Sequence, residues 1–326
     1  LVYGYGEYDF EAPFFYLKFA QGKLNYILSR HSFRDIFRYY SQQNRDIKEQ
    51  LLNLTAEEKQ KLFDYLENNY KPENRRYLYD FFYDNCATRI RDVAETVVSD
   101  KIEYTIPKDF KPKTFRALIY EHVNKNTWGS LGIDLALGSI IDRDASPREH
   151  MFLPKYVHDF FAKATIGEKR TLVKSSDQLY VAKEVKQKSQ VLLSPLFILS
   201  LIAIGILYVT YKDYKNQTRS TWVDTGIAGF TGLIGLVLFL LWFATNHTAT
   251  GYNYNLLWAF PLNLILLGQL YKQKPKPWVK GFLKFLLLML SLLTLHWLIG
   301  VQVFAITLIP LLIALAIRYG FVLKSL

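Results

Sequence analysis

The stretch Asp84-Asn85-Cys86-Ala87-Thr88-Arg89 contains the only cysteine of the 326-residue chain. Apolar residues follow it at the spacing of a helix, at Ile90, Val93 and Val97. Asp84 or Asn85 can cap that helix, which places the sulfur at the positive end of the helix dipole, with Arg89 one turn away. These influences lower a thiol pKa and favour the thiolate, the form that attacks acyl carbons. The pattern therefore predicts a nucleophile at Cys86.

A structural role for Cys86 is an open alternative at this point. A free cysteine is also a small apolar residue, and Cys86 could belong to a buried stripe shared with Ile90 and Val93. A single cysteine allows no internal disulfide, so in an oxidising compartment it would remain a free thiol. Location outside the cytoplasm would favour the catalytic interpretation.

The elements that must position Cys86 lie in residues 1–188, which are mixed in composition and rich in Tyr and Phe. We expect strands at 3–8, 24–28 and 77–82, and helices at 56–69, 113–123, 130–141 and 147–163. Thr55 followed by Glu58 is a capping box that opens the first of these helices. The pattern predicts one α+β domain.

Long apolar runs dominate the remainder of the chain. Each is near the ~20 residues that cross a bilayer, and they occupy about 190–210, 222–244, 253–270, 281–298 and 301–318. They predict a transmembrane bundle of about five helices over residues 189–326, although four or six spans fit as well. Residues 1–188 then form an extracytoplasmic domain.

Basic residues are segregated among the loops of this second part. They lie at Lys212, Lys215 and Arg219, at Lys272, Lys274, Lys276 and Lys280, and at Arg318 and Lys324. The loops 245–252 and 299–300 have neither Lys nor Arg. The positive-inside rule predicts a multi-pass membrane protein with the basic loops and the C-terminus in the cytoplasm, and an odd number of spans then places residues 1–188 outside. Lys183, Lys186 and Lys188 oppose this rule, but long domains translocate largely regardless of charge.

The composition also argues against several classes of function. The net charge of +11, from 40 basic and 29 acidic residues, is mostly a membrane signature, because no basic patch accompanies a nucleic-acid-binding motif. The sequence shows no metal-ligand spacing and no phosphate-binding glycine loop, and we expect neither metal nor cofactor. The chain opens at Leu1-Val2-Tyr3-Gly4-Tyr5, which is typical of the middle of a strand. An exported domain needs a signal, so we expect a segment before Leu1.

Several motifs resemble the Lnb family of bacterial lipoprotein N-acyltransferases. They are Tyr5-Gly6-Glu7-Tyr8-Asp9-Phe10, Phe19-Ala20-Gln21-Gly22-Lys23-Leu24-Asn25-Tyr26, Tyr-Asp-Phe-Phe-Tyr-Asp-Asn-Cys-Ala-Thr-Arg-Ile-Arg-Asp at 79–92, Met151-Phe152-Leu153-Pro154, and Asn253-Tyr254-Asn255-Leu256-Leu257-Trp258. The resemblance implies a circularly permuted papain-like (NlpC-type) domain, akin to lecithin:retinol acyltransferase. It also implies a phospholipid acyl donor and a diacylated lipoprotein as the acceptor. With the loop charges, it implies a multi-pass protein of the bacterial inner membrane whose N-terminal domain lies in the periplasm.

The same resemblance assigns roles near the thiol. Cys86 would be the nucleophile and would also supply an oxyanion N–H from the start of its helix, beside Asn85. The family histidine belongs to a Phe-Gly-His-type segment that we expect upstream of Leu1, and His31 is the best substitute within the chain. Glu7 could orient the histidine or be a solvated strand residue. Arg89 could hold a lipid phosphate or pair with Asp92 or Glu95.

Two further groups of residues complete the sequence hypotheses. Three histidines, His122, His150 and His158, are typical of helix surfaces. Polar residues of the membrane part would contact substrate or, alternatively, hold loop backbone and anchor the interface: Asn246, His247, Asn253, Asn255 and Trp258.

Two other functions remain as alternatives. One is a membrane-bound NlpC-type peptidase or amidase that acts on peptidoglycan with the same thiol. Five spans argue against it, because one anchor would be enough. The other is a non-catalytic membrane scaffold with Cys86 buried. Thiol reactivity at Cys86 separates the scaffold from both enzymes, and release of lysophospholipid separates the acyltransferase from the amidase.

Overall fold

The computed structural model describes residues 1–10, 12–98, 101–167, 170–184 and 191–326. It divides into two compact units, the first comprising Leu1–Pro112 and Ala145–Gln187, and the second Lys113–Asp144 and Lys188–Leu326. Residues 113–144 therefore cluster with the apolar helices rather than with the rest of the N-terminal part. The expected boundary at 188/189, with Lys186 and Lys188, lies outside the described residues.

The first unit mixes helices with short antiparallel strands. Its elements are β1 (Val2–Tyr8), α1 (Phe15–Ala20), β2 (Asn25–His31), α2 (Phe33–Gln42), β3 (Ile47–Leu52), α3 (Ala56–Tyr70), β4 (Arg76–Leu78), α4 (Cys86–Val97) and β5 (Ile102–Glu103), followed after residue 144 by a helical turn Pro147–His150, a helix Pro154–Phe161, and strands Thr165–Ile166, Arg170–Thr171 and Val173–Tyr180. The strands pair as β1-β2-β4, as β3 with Val173–Tyr180, and as β5 with the two short strands.

The core of this unit lies between α4 and the helix Pro154–Phe161. Val93, Ala94 and Val97 of α4 pack with Phe160 and Phe161, and all five side chains are buried. Ile90 is 54% exposed, so it does not belong to the buried stripe that the sequence suggested. The thiol of Cys86 is thus not one member of a continuous apolar face.

Local signals predicted several elements correctly. Thr55 and Glu58 form the expected reciprocal capping box at the start of α3. The extended segment expected at 77–82 is shorter, because only Arg76–Leu78 pairs with β2. A turn follows in which the side chain of Asp80 accepts hydrogen bonds from the backbone N–H groups of Phe82 and Tyr83, both at 2.9 Å. This turn leads directly to Cys86.

The second unit begins with short helices and continues with long apolar ones. Its helices are α5 (Phe115–Tyr120), α6 (Trp128–Ala136), α9 (Pro195–Asn216), α10 (Thr221–Phe243), α11 (Leu267–Leu270), α12 (Trp278–Leu298) and α13 (Ile309–Ser325). The labels α7 and α8 denote Pro147–His150 and Pro154–Phe161 of the first unit. The second unit also has 3₁₀ turns at Ser139–Asp142, Val191–Leu193, Tyr254–Leu257, Pro261–Leu266 and Ile306–Leu308.

Four helices among the described residues are long and apolar enough to cross a membrane: Pro195–Asn216, Thr221–Phe243, Trp278–Leu298 and Ile306–Ser325. The third of the five expected spans, 253–270, is instead a broken segment of two 3₁₀ turns and α11. Irregular backbone is tolerated at membrane depth only where protein surrounds it. Both α10 and α12 pack against it here.

Glycines of α10 allow the broken segment to approach closely. A Cβ on Gly235 would lie 2.1 Å from the carbonyl oxygen of Ala259, and one on Gly232 would lie 2.8 Å from the Leu264 side chain. At the far end of the segment, the carbonyl of Leu270 accepts from Arg219, just before α10 begins. The segment therefore runs antiparallel to α10 along nearly its whole length.

A cluster of buried charges joins the ends of these elements. The Arg318 guanidinium lies 2.7 Å from Asp213 and 2.6 Å from Asp224, and Arg219 lies 2.8 Å from Asp224. The expectation that Arg318 follows the last span is wrong, because it lies within α13 and is only 1% exposed. Two arginines and two aspartates neutralise one another, which makes their burial possible.

We expect Arg318→Met to destabilise the protein by about 3–5 kcal/mol, the range for breaking a buried ion pair from one side. Asp213 would keep only its hydrogen bonds to Ser220. Thermal unfolding of the purified protein in detergent measures the effect. Lys324→Met is the control, because Lys324 is exposed on the same helix. Equal melting temperatures for the two variants would contradict the prediction.

Candidate active site

Cys86 is the first residue of α4, and Asn85 is its N-cap, as the sequence predicted. The Asn85 backbone is extended, and its side-chain Oδ1 accepts hydrogen bonds from the N–H groups of Ala87 at 2.8 Å and Thr88 at 3.0 Å. The Thr88 hydroxyl in turn accepts from the Asn85 N–H at 2.8 Å. This reciprocal cap satisfies helix donors that otherwise lack partners.

The amide group of Asn85 also connects α4 to two other segments. Its Nδ2 donates to the carbonyl oxygens of Phe81 at 2.8 Å and Phe152 at 2.9 Å. Asn85 is 4% exposed, and both donors and the acceptor oxygen are thus engaged. The motif Met151-Phe152-Leu153-Pro154 therefore supports the position of Cys86, although it lies far from it in sequence.

A glycine of β1 lies against the thiol. Gly6 has φ of +100° where the pairing of β1 with β2 shifts register, a conformation that favours glycine. A Cβ at Gly6 would lie 3.3 Å from Cys86 Cβ, 3.9 Å from the Tyr77 hydroxyl and 4.0 Å from the Tyr79 ring. Because Gly6 has no side chain, β1 can approach Cys86 closely.

Burial raises the pKa of the Cys86 thiol, while the backbone N–H groups of Ala87 and Cys86 act in the opposite direction. The expectation of a lowered pKa is therefore wrong, because desolvation of the thiolate outweighs the helix terminus. Burial likewise raises the pKa of neighbouring phenols, that of Tyr5 to about 12. A nucleophile in this environment needs a base to take its proton.

Arg89 pairs with Asp84, the residue before the N-cap. The Arg89 guanidinium forms two hydrogen bonds with the Asp84 carboxylate, one of them at 2.5 Å from Nη2 to Oδ2. It also lies 4.3 Å from the centre of the Tyr77 ring. The pairing with Asp92 or Glu95 suggested by the sequence is not formed, because Arg148 contacts both of these carboxylates. Arg89 thus holds the turn before Cys86.

The structure brings together Glu7 and His31, which the sequence treated separately. The His31 Nε2 lies 2.6 Å from Glu7 Oε1, and both side chains are partly exposed. Glu7 directly follows Gly6, the residue packed against Cys86. The pair has the form in which a carboxylate orients an imidazole.

The other histidines of the first unit lie elsewhere. His150 is not a helix-surface residue, because it is fully buried between the rings of Phe110 and Tyr156. Its Nδ1 lies 2.9 Å from the carbonyl oxygen of Ser146. His158 lies 3.3 Å from the hydroxyl of Ser176. Among the described residues, no group of three or more His, Cys, Asp or Glu side chains could hold a metal ion.

Three of the polar residues expected to contact substrate are buried in the second unit. Asn253 donates to the Leu135 carbonyl at 2.7 Å, and Asn255 donates to the Asp134 carbonyl at 2.9 Å. The Trp258 indole donates to Asn255 at 3.1 Å. These bonds hold the loop backbone at the end of α6, which was the alternative role. Asn246 is exposed and His247 half-buried.

Sequence reasoning missed the contributions of Gly6, Tyr77 and Phe152. Gly6 and Phe152 lie in motifs that were recognised, but the contacts join residues far apart in the chain. A glycine at a strand position is a signal for a bulge or a close approach, and it could have identified Gly6. The carbonyl of Phe152 has no signal of its own in the sequence.

We expect iodoacetamide to alkylate Cys86 more slowly at pH 8.5 than a cysteine placed at the exposed position Lys71. A raised pKa leaves less thiolate at a given pH. The alkylation rate of Cys86 should therefore increase with pH, and the midpoint of that increase should lie above the ordinary thiol pKa of about 8.5. The control is Lys71→Cys in a Cys86→Ala background, and intact-mass spectrometry follows both reactions. A midpoint for Cys86 below that of the control would contradict the prediction.

Two family models match separate parts of the chain. The model of the Lnb N-terminal periplasmic domain matches residues 5–120, and the model of the Lnb transmembrane domain matches residues 186–325. The chain has no significant match among curated proteins or solved structures. It is a multi-pass membrane protein with a periplasmic N-terminal domain. Because the two models together match most of its length, the chain belongs to the Lnb family.

Proposed function

We propose that this protein is a lipoprotein N-acyltransferase in which Cys86 carries the acyl chain. The observation that supports it most is a single thiol at the start of α4, fixed by the side chain of Asn85. Membership of the Lnb family supports the reaction class. The first substrate is a phospholipid, and the second is the α-amine of a lipoprotein's lipidated N-terminal cysteine.

The first half of the reaction transfers the acyl chain to sulfur. The Cys86 thiol gives its proton to a base, and the thiolate attacks the ester carbonyl carbon of the phospholipid. The backbone N–H of Cys86 stabilises the oxyanion, because Asn85 accepts from Ala87 and Thr88 rather than from Cys86. The C–O bond then breaks, and the lysophospholipid alkoxide takes the proton from the base.

The second half transfers the acyl chain to nitrogen. The lipoprotein amine attacks the thioester carbonyl, the C–S bond breaks, and the proton of the amine returns to Cys86 through the base. An amine displaces a thiolate more readily than an alkoxide, so a thioester suits this order of steps.

The base is the part of the mechanism that these residues define least directly. The resemblance assigns it to a histidine in a Phe-Gly-His segment, a tripeptide that residues 1–326 do not contain. His31, held by Glu7, is the alternative within the chain. In either case the raised pKa of Cys86 makes the base necessary.

A permuted papain-like fold is part of the same proposal. The support is a helix that begins at the cysteine and lies beside an antiparallel sheet of order β1-β2-β4. Gly6 of β1 lies against Cys86, so a strand of this sheet faces the thiol. The periplasmic domain supplies the thiol, and the membrane domain anchors it in the bilayer.

The proposal predicts that Cys86 becomes acylated when the acceptor is withheld. The native protein incubated with phospholipid alone should gain the mass of one acyl chain, and hydroxylamine should remove it because thioesters react with this amine. Addition of a diacylated lipopeptide should then yield the triacylated lipopeptide and an equal amount of lysophospholipid. Mass spectrometry measures both products.

Cys86→Ala should abolish both the adduct and turnover, and His31→Gln tests the alternative base. Turnover by Cys86→Ala would overturn the assignment of the nucleophile. Cleavage of peptidoglycan stem peptides without any change in lipid would favour the amidase instead. No reaction of any kind, with an unreactive thiol, would favour the scaffold.

We further propose that the C-terminus lies in the cytoplasm. The broken segment 254–270 runs the length of α10, from Ala259 beside Gly235 to Leu270 beside Arg219. It therefore counts as a fifth crossing beside the four regular helices. An odd number of crossings places the C-terminus opposite the periplasmic domain, in agreement with the basic loops.

Single cysteines at Asn216 and Thr248, each in a Cys86→Ala background, test this orientation. In intact cells with a permeabilised outer membrane, an impermeant maleimide should label the Thr248→Cys variant and spare Asn216→Cys. Disruption of the inner membrane should then allow both to react, which shows that each site is accessible. Labelling of Asn216→Cys before disruption would reverse the topology.

A further inference from the structure

The second unit contains an apolar cavity of about 430 Å³ between α9, α10 and the start of α13. Representative lining residues are Leu199, Gly205 and Tyr208 of α9, Gly226 and Phe230 of α10, and Leu315 of α13. Tyr208 and Phe230 are at least half exposed, so the cavity opens at the surface of the helices. In a membrane-spanning unit, lipid surrounds that surface.

Glycines create this cavity, and no protein group fills the space they leave. A Cβ on Gly205 or Gly226 would meet no heavy atom within 4 Å. The glycines further along α10 differ, because Gly232 and Gly235 lie against the broken segment. Packing within the protein explains Gly232 and Gly235 but not Gly205 and Gly226.

Positive charge lies at one end of the cavity. The Lys212 ammonium lies 5.8 Å from the centre of the Tyr208 ring, one turn along α9. Gly205, Tyr208, Lys212 and Lys215 recur at a spacing of three and four residues, which places them on one face of the helix. Both lysines are exposed, and the described residues place no carboxylate within ion-pair distance of either.

The nearby arginines differ from these lysines in their charge balance. Arg219 and Arg318 are buried and neutralised by Asp213 and Asp224. The uncompensated charge at this end of α9 therefore belongs to Lys212 and Lys215. These two lysines lie on the same face of α9 as the residues that line the cavity.

We propose that the cavity binds one acyl chain of an anionic phospholipid, whose phosphate group contacts Lys212 and Lys215. Leu199 to Tyr208 spans roughly 14 Å at the rise of an α-helix, about half of the ~30 Å hydrocarbon core and hence the depth of one leaflet. Tyr208 and the exposed Trp222 lie between the apolar part and the lysines. Amphipathic rings favour this position at the level of lipid headgroups.

This site is independent of the proposed acyl transfer. It uses none of the residues around Cys86, so Cys86→Ala should bind the lipid as well as the native protein does. Failure of the acylation experiment would not contradict the lipid site, and failure of the lipid-binding experiment would not contradict the acyl transfer.

Native mass spectrometry of the detergent-purified protein tests the site, with phosphatidylglycerol and phosphatidylcholine of identical acyl chains as probes. The native protein should retain one phosphatidylglycerol in preference to phosphatidylcholine. Lys212→Gln with Lys215→Gln should weaken phosphatidylglycerol retention by about fivefold for each lysine, the attraction of one basic side chain to an anionic lipid surface. Gly205→Leu with Gly226→Leu should reduce retention of both lipids, because leucine fills the cavity.

Two matched controls should behave as the native protein does. Lys272→Gln removes a lysine that also lies over a tyrosine ring, at 5.7 Å, but outside the cavity. Gly281→Leu places a side chain in open space on α12. Melting temperatures establish whether each variant is folded. If the variant with both leucine substitutions is unfolded, the variant with both lysine substitutions tests the proposal by itself. Equal retention of both lipids by the native protein, or unchanged preference in the lysine pair, would overturn the proposal.

Discussion

The position of Cys86 depends on the side chain of Asn85. That amide caps α4 through its oxygen and binds the carbonyls of Phe81 and Phe152 through its nitrogen. One buried residue thus fixes the helix start, the turn before it and a segment from beyond residue 144. No other residue type offers two donors and an acceptor in so short a side chain. The hydrogen bonds of Asn85 therefore determine the geometry around the sulfur.

Electrostatics near the thiol follow from the same burial. The turn before Asn85 is aromatic, and the phenol rings of Tyr77 and Tyr79 lie close to Cys86, which is partly buried. Desolvation then outweighs the favourable helix terminus. A thiol in such an environment needs a separate base to form its thiolate.

Local patterns predicted the elements of this protein better than its contacts. The capping residues Thr55 and Asn85 act within three residues of their partners, so the sequence was sufficient for both helix starts. Arg318 could not be placed in the same way, because its burial depends on Asp213 and Asp224 on two other helices. His150 is buried for a similar reason, because one of the two rings that enclose it belongs to Phe110, which is distant in sequence. Apolar length alone also cannot distinguish a regular span from the broken segment 254–270.

That broken segment has a consequence for how the protein is made. Its 3₁₀ turns replace a regular helix, and the buried side chain of Asn263 donates a hydrogen bond to the Thr231 hydroxyl of α10 at 2.9 Å. Lipid alone would be a poor partner for such a chain. Because α10 precedes the segment in sequence, it leaves the ribosome first. Biosynthesis from the N-terminus thus supplies the glycine-lined surface of α10 before the segment needs it, and insertion order becomes part of folding.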